Sequence, residues 1–156
     1  GNSLKLVLKE IKKNPHISAF YSNVSIVSKH NINKEIRSFK TKKLTNTDFL
    51  NGLHPPHTSL FIKKKIFKKY GLYNEQLKIA SDYEYMLRVF GVKKVEAKFI
   101  DETLVVMRSG GTSTKNLINI ILSNYEAYKA FKINKLNINL IVIFNKLIKK
   151  LVQIKL

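Results

Sequence analysis

Apolar positions along this chain change their spacing several times, and each change marks an element. Leu4, Leu6, Val7, Leu8 and Ile11 recur at helical spacing until Asn14-Pro15 stops them, which predicts an amphipathic helix. Ala19 to Val27 is rich in aromatic and β-branched residues and predicts a strand. Ile32 to Phe39 predicts a second, more exposed strand. Thr45 to Leu53 predicts a short helix, with Thr45 or Thr47 as its cap and Gly52 near its end. His57 to Ile62 reads as an apolar strand, and Lys64 to Tyr70 as a helix closed by Gly71. Ser81 to Phe90 is the expected central helix, with Tyr85, Met86 and Val89 turned inward. Val95 to Ile100 and Thr103 to Met107 are expected as separate strands, and Gly110-Gly111 as a turn.

Two helices are expected to follow. Leu117 to Phe131 carries Leu117, Ile118, Ile121, Leu122, Tyr125 and Tyr128 on one face. Leu140 to Ile154 sets Leu140, Phe144, Leu147, Ile148 and Leu151 against Asn145, Lys146, Lys149, Lys150 and Gln153. This last pattern suits a helix lying on a membrane with its lysines at phosphate head groups, and it equally suits a helix packed on its own domain. No internal repeat and no linker interrupts the chain. The expected division is residues 1–134 as one folded part and 135–156 as a basic amphipathic helix.

Composition narrows the classes. A length of 156 residues, 44% hydrophobic and 25% charged, is enough for a folded core. The absence of cysteine excludes disulfides and thiolate metal sites. The four histidines, at 16, 30, 54 and 57, show no paired helical spacing, which argues against a histidine metal site. The net charge of +19 attracts polyanions: nucleic acid, anionic lipid or nucleotide-linked substrates. The lysines are scattered as pairs and triplets, and no RNA- or DNA-binding motif accompanies them, so no specific nucleic-acid partner is expected. No apolar run reaches the roughly 18 residues of a membrane span. The chain opens on Gly rather than Met and without a signal-peptide pattern, so it reads as a fragment.

The residues with chemical potential lie in four runs. His57-Thr58-Ser59-Leu60-Phe61-Ile62 leads to Gly71-Leu72-Tyr73-Asn74-Glu75. Ala80-Ser81-Asp82-Tyr83-Glu84-Tyr85-Met86-Leu87-Arg88 comes next, and Met107-Arg108-Ser109-Gly110-Gly111-Thr112-Ser113 follows. Asp82 opens a helix, where the dipole favours a carboxylate; the same position also suits a helix cap. Glu84 is placed to pair with Arg88 at i+4. Asp82-Tyr83-Glu84 imitates a D-x-D metal motif, but it opens an amphipathic helix rather than ending a strand, so no metal site is assigned to it. Gly110-Gly111 fits a plain turn or a close backbone approach to phosphate.

In order and spacing these runs, within residues 3–125, resemble the acceptor-side half of a family 2 glycosyltransferase of the bacterial surface-polysaccharide type. Such enzymes read H-x-s-x-f-i, then G-x-[FY]-[DN]-E, then D-[YW]-[DE]-x-x-L-R and later R-x-G-G-[IV]-S. The resemblance implies an α/β fold, the C-terminal portion of a GT-A nucleotide-diphospho-sugar transferase, with a mixed sheet flanked by helices. It implies that Asp82 is the general base, that His57, Ser81 and Tyr83 bind the acceptor, and that Arg108, Gly110 and Gly111 meet the donor phosphates. Ser81 stands where the family usually has Glu. A satisfied structural histidine is an equal reading of His57.

The implied partners are a nucleotide-sugar donor and a glycan or lipid-linked acceptor, with an anionic membrane surface at the inner face of the cytoplasmic membrane. The divalent cation of such enzymes, Mn or Mg, would belong to an upstream motif in a donor half, with none expected on this chain alone. Oligomeric state and the sugar transferred are not implied. The competing reading is a non-catalytic basic module that binds anionic membranes or polyanions, supported by the charge and by Ser81.

Overall fold

A computed structural model describes residues 2–110 and 117–137. In chain order it contains α1 (Asn2–Lys13), β1 (Ala19–Val27), β2 (Glu35–Phe39), α2 (Asn46–Leu50), β3 (Phe61–Ile62), α3 (Lys64–Tyr70), α4 (Ser81–Met86), β4 (Ala97–Arg108) and α5 (Leu117–Ile133). A 3₁₀ turn spans His57–Ser59, and a π-helical turn, Leu87–Val92, continues α4. The protein is α/β with a mixed sheet, and its chain divides into two units. One holds residues 1–45, 55–71 and 94–109; the other holds 46–54, 72–93 and 110–156. The expected helix over 140–154 and the second glycine of Gly110-Gly111 lie outside the described residues.

The first unit is organised by β1, buried along almost its whole length. β4 runs parallel to it along one edge, from Ala19 opposite Ala97 to Val27 opposite Arg108. The other edge is shared by antiparallel β3, at Ala19 and Phe20, and antiparallel β2, at Val24 to Val27. Between these partners the edge is completed by a side chain. Ser59, fully buried, accepts the Ser22 N–H (3.3 Å) and donates to the Ser22 carbonyl (2.8 Å), so one hydroxyl does the work of a neighbouring strand. The stretch His57–Ile62 is therefore not one strand. Its first half is a 3₁₀ turn because Ser59 must point at β1, and only Phe61–Ile62 pairs.

β4 also departs from expectation. Asp101 and Glu102 do not separate two strands; they bulge from a single one, since Ser22 faces Ile100 while Asn23 faces Thr103. The Asn23 amide fastens the bulge to Asp101 (3.2 Å) and accepts the Thr41 N–H (2.8 Å). Two residues before it, the Tyr21 hydroxyl accepts the Leu44 N–H (2.7 Å) and donates to the Lys42 carbonyl (3.0 Å). Polar side chains of a buried strand thus hold the irregular segment around 41–44. Helix α1 covers the sheet with Val7, Leu6 and Ile11 packed among Ile17, Phe20, Phe61, Ile100 and Leu104. Leu4 and Leu8 take no part in this packing and stay largely in solvent.

The second unit is built around α4 and α5. Ala80, Tyr83 and Leu87 pack against Ala127, Ala130 and Phe131, with Leu50 and Leu136 at the margin. Small residues on α5 allow this close approach. The face of α5 expected to be buried is instead exposed at Ile118, Ile121 and Tyr125. Inward positions go to Ile120, Ser123, Asn124 and Glu126, and the Ser123 hydroxyl and Asn124 side-chain N–H₂ donate to the Ile120 carbonyl (3.0 and 2.8 Å). Helix α2 ends with Leu53 N–H on the Asp48 carbonyl and Gly52 N–H on that of Phe49, with Gly52 at φ 80°. That is a Schellman closure, which needs a left-handed residue.

Replacing Ser59 by Ala would leave the Ser22 N–H and carbonyl buried without this partner. Urea unfolding should show a loss of about 1–3 kcal/mol, and amide exchange at Ser22 should accelerate relative to its β4-paired neighbours.

Candidate functional site

Asp82 lies in the first turn of α4, half-buried, with Oδ1 accepting the Tyr83 N–H at 2.7 Å. The segment leading to it is fixed by a residue that the sequence did not single out. Glu126 of α5 is buried, and its carboxylate accepts three successive backbone N–H groups: Lys78 (2.9 Å), Ile79 (2.7 Å) and Ala80 (2.8 Å). Hydrogen bonds to a charged acceptor are the strong ones, and a carboxylate also suits the approach to a helix N-terminus. Neither Ser81 nor Asp82 caps the helix. The N-cap position is Ala80, whose carbonyl accepts the Glu84 N–H (2.9 Å), and the Ser81 hydroxyl turns back to the Asn74 carbonyl (2.9 Å). One signal could have pointed to Glu126: it is the only acidic residue after Glu102.

Ser81 thereby anchors the turn Asn74–Leu77, in which the Leu77 N–H reaches the Asn74 carbonyl (3.2 Å) and the Gln76 N–H reaches Asn74 Oδ1 (3.0 Å). Just before this turn the Tyr73 ring, part exposed, stands 4.8 Å from the Tyr85 ring. Burial raises the Tyr73 phenol above its ordinary range, and the negative charge of Asp82 adds to the shift. The Tyr83 ring is buried between Phe131 and the edge of His54, whose centroid is 5.2 Å away. His54 thus contacts Tyr83.

Glu84 is only 1% exposed and pairs with Arg88 as expected, through Nε at 2.9 Å and Nη2 at 3.1 Å. Asn134 donates to the same carboxylate at 3.0 Å, while Arg88 Nη2 also reaches the Leu72 carbonyl at 2.7 Å. Both oxygens are committed to nitrogen donors, so Asp82-Tyr83-Glu84 does not offer the carboxylate pair that a hard cation needs. Among the described residues no cluster of three His, Cys, Asp or Glu could hold a metal.

His57 and Arg108 belong to the first unit. His57 is exposed at the start of the 3₁₀ turn, and the neighbouring Thr58 hydroxyl lies 3.8 Å from Met107 Sδ. That contact brings the turn beside the end of β4, where Arg108 is exposed opposite Val27. Ser109 N–H closes the strand on the Val27 carbonyl (2.9 Å). Gly110 follows at φ 111°, a conformation glycine adopts freely, with nothing within 4 Å of an added Cβ. Asp82, Ser81, Tyr83 and His54 belong to one unit, and His57 and Arg108 to the other.

No protein-family model matches this chain, and no curated protein sequence matches it. No helix among the described residues is long and apolar enough to cross a membrane.

Two outcomes are expected from this geometry. Glu126→Gln replaces one acceptor oxygen with an N–H₂ that opposes backbone donors, so thermal or urea unfolding should show a cost of about 1–3 kcal/mol. Protection of the Lys78, Ile79 and Ala80 amides should fall with it. The second concerns alkaline pH. Burial, reinforced by Tyr73 and opposed by Arg88, pushes Tyr85 up to about 12 from its ordinary 10. The unfolded phenol ionises first, so the contribution of Tyr85 is intact below pH 10 and is lost as pH rises towards about 12. Between those limits Tyr85→Phe should lose less stability than the parent, by up to about 3 kcal/mol. Parallel denaturation curves would measure the difference.

Proposed function

We propose that this chain is the acceptor-side part of an inverting, nucleotide-sugar-dependent glycosyltransferase, of the family 2 type that builds surface polysaccharide, with Asp82 as its general base. The observation that carries this reading is the seating of Asp82. Its carboxylate is aimed by the Tyr83 N–H, and Ser81 and Glu126 pin the backbone before it to Asn74 and to α5. In an inverting transfer the acceptor O–H attacks the anomeric carbon while the nucleoside diphosphate departs. The proton passes to a carboxylate within hydrogen-bonding reach, and a base held in place avoids the reorganisation that a swinging side chain would need.

On this reading His57, Ser81 and Tyr83 serve the acceptor side. Ser81 holds the turn, Tyr83 follows the base with its ring packed between His54 and Phe131, and His57 offers an exposed imidazole. Arg108 and the open backbone at Gly110 are assigned to donor phosphates, together with Gly111. A divalent cation would be held by carboxylates of a donor half, and the described residues here do not fit one. The GT-A assignment and a lipid-linked acceptor at the inner face of the cytoplasmic membrane belong to the same proposal. A non-catalytic basic module is the second reading, favoured by the net charge of +19.

Asp82→Asn separates the two. Asn keeps the oxygen that accepts the Tyr83 N–H and removes the proton acceptor. In the enzyme carrying its donor half, turnover should fall ~10²–10⁴-fold with donor affinity nearly unchanged, and the melting temperature should stay close to that of the parent. Transfer at the parental rate would end the catalytic claim.

A further inference from the structure

Helix α1 uses only half of its circumference to cover the sheet. Leu6, Val7, Glu10 and Ile11 face inward, whereas Leu4, Lys5, Leu8, Lys9, Lys12 and Lys13 face out. Leu4 is 61% exposed and Leu8, one turn on, is 56% exposed. Lys5, Leu8, Lys9, Lys12 and Lys13 lie side by side along this open surface. The helix carries one acid, Glu10, and it is spent at the flank: Lys98 approaches it at 3.0 Å and Lys13 at 3.8 Å. Lys98 holds the Glu10 carboxyl below its ordinary value, so it stays negative and bound to that side.

We propose that the outward face of α1 is a contact surface for an anionic phospholipid bilayer. Two features in combination select that partner. A row of lysines with no acid among them supplies electrostatic attraction to phosphate and carboxylate head groups, about 1 kcal/mol for each lysine near the surface. Two leucines one turn apart supply apolar contact with the acyl boundary, while lysine stems lie along the interface and their ammonium groups remain in water. A nucleic acid would use the lysines and gain nothing from Leu4 and Leu8, and α1 has no aromatic side chain on which a base could stack. A second copy of the same face would bring like charges together. The inference stands whether or not the chain transfers a sugar, and it is separate from any contact made by residues 140–154.

The test is flotation of the whole chain with phosphatidylcholine vesicles, with and without phosphatidylserine. The chain contains no tryptophan, so Leu8→Trp adds a single reporter at the proposed contact. Its emission should shift to the blue on phosphatidylserine vesicles and stay unchanged with pure phosphatidylcholine. Changing Lys5, Lys9 and Lys12 together to Gln should weaken binding roughly a hundredfold, at about fivefold per lysine. Leu4→Ser with Leu8→Ser should weaken it by about tenfold. These side chains are exposed, and an unchanged circular dichroism melt would confirm intact folding.

Three results would overturn the proposal. One is equal binding to both vesicle types. Another is binding that depends on the lysines, ignores the leucines and is displaced by single-stranded RNA. The third is loss confined to Lys146, Lys149 and Lys150 changed to Gln, with the α1 variants binding like the parent.

Discussion

The carboxylate of Glu126 is the contact on which the second unit turns. A buried charge is tolerated only when its hydrogen-bonding capacity is used, and three consecutive backbone N–H groups use it. The same three bonds remove the freedom of residues 78–80 just before α4, so the direction in which α4 starts is set from α5. Asp82 inherits its position from that direction. Glu84 repeats the logic one turn later, where Arg88 and Asn134 saturate a carboxylate that is nearly inaccessible to water. Two of the ten acids are therefore internal fasteners, and neither answers the positive charge of the surface.

The first unit meets the same constraint with neutral groups. A strand buried on both sides exposes no backbone to water, so each break in its ladder must be filled from within the protein. Ser59 fills the break at Ser22, and Asn23 and Tyr21 turn buried polarity outward to hold the neighbouring coil. Because the coil is tied to side chains two apart on one strand, it takes its path from the alternation of that strand.

Periodicity and punctuation conveyed the elements whose cause is local. Helix α1 stops at Asn14-Pro15, α3 closes at Gly71, β1 has its full extent, and Glu84 finds Arg88 one turn away. Where the cause was a distant partner, the pattern misled. Asp101-Glu102 looked like a break because a bulge leaves no trace in hydrophobic alternation. His57 to Ile62 looked continuous because nothing local says that Ser59 must serve Ser22. The inward face of α5 was misjudged because Ala127 and Ala130 pack by being small, and Glu126 and Asn124 are paid in hydrogen bonds rather than in apolar area. The site followed the same division. Asp82 stood out by its neighbours in sequence, whereas the residue that positions its helix lay 44 positions further along the chain.

The π-helical turn after α4 has a consequence for how the second unit comes apart. Its wider winding brings the Phe90 carbonyl to the Asn46 side chain, 2.7 Å away, and sets the Phe90 ring 5.1 Å from that of Phe49. Gly91 lies so close to Leu50 that an added Cβ would stand 3.2 Å from its Cδ2. Helix α2 has five residues, far too few to persist alone in water. It exists as helix only while the π turn holds that shape, so the two open and close as one cooperative element, and the hydrogen bonds of α2 last as long as those of a segment nearly forty residues away.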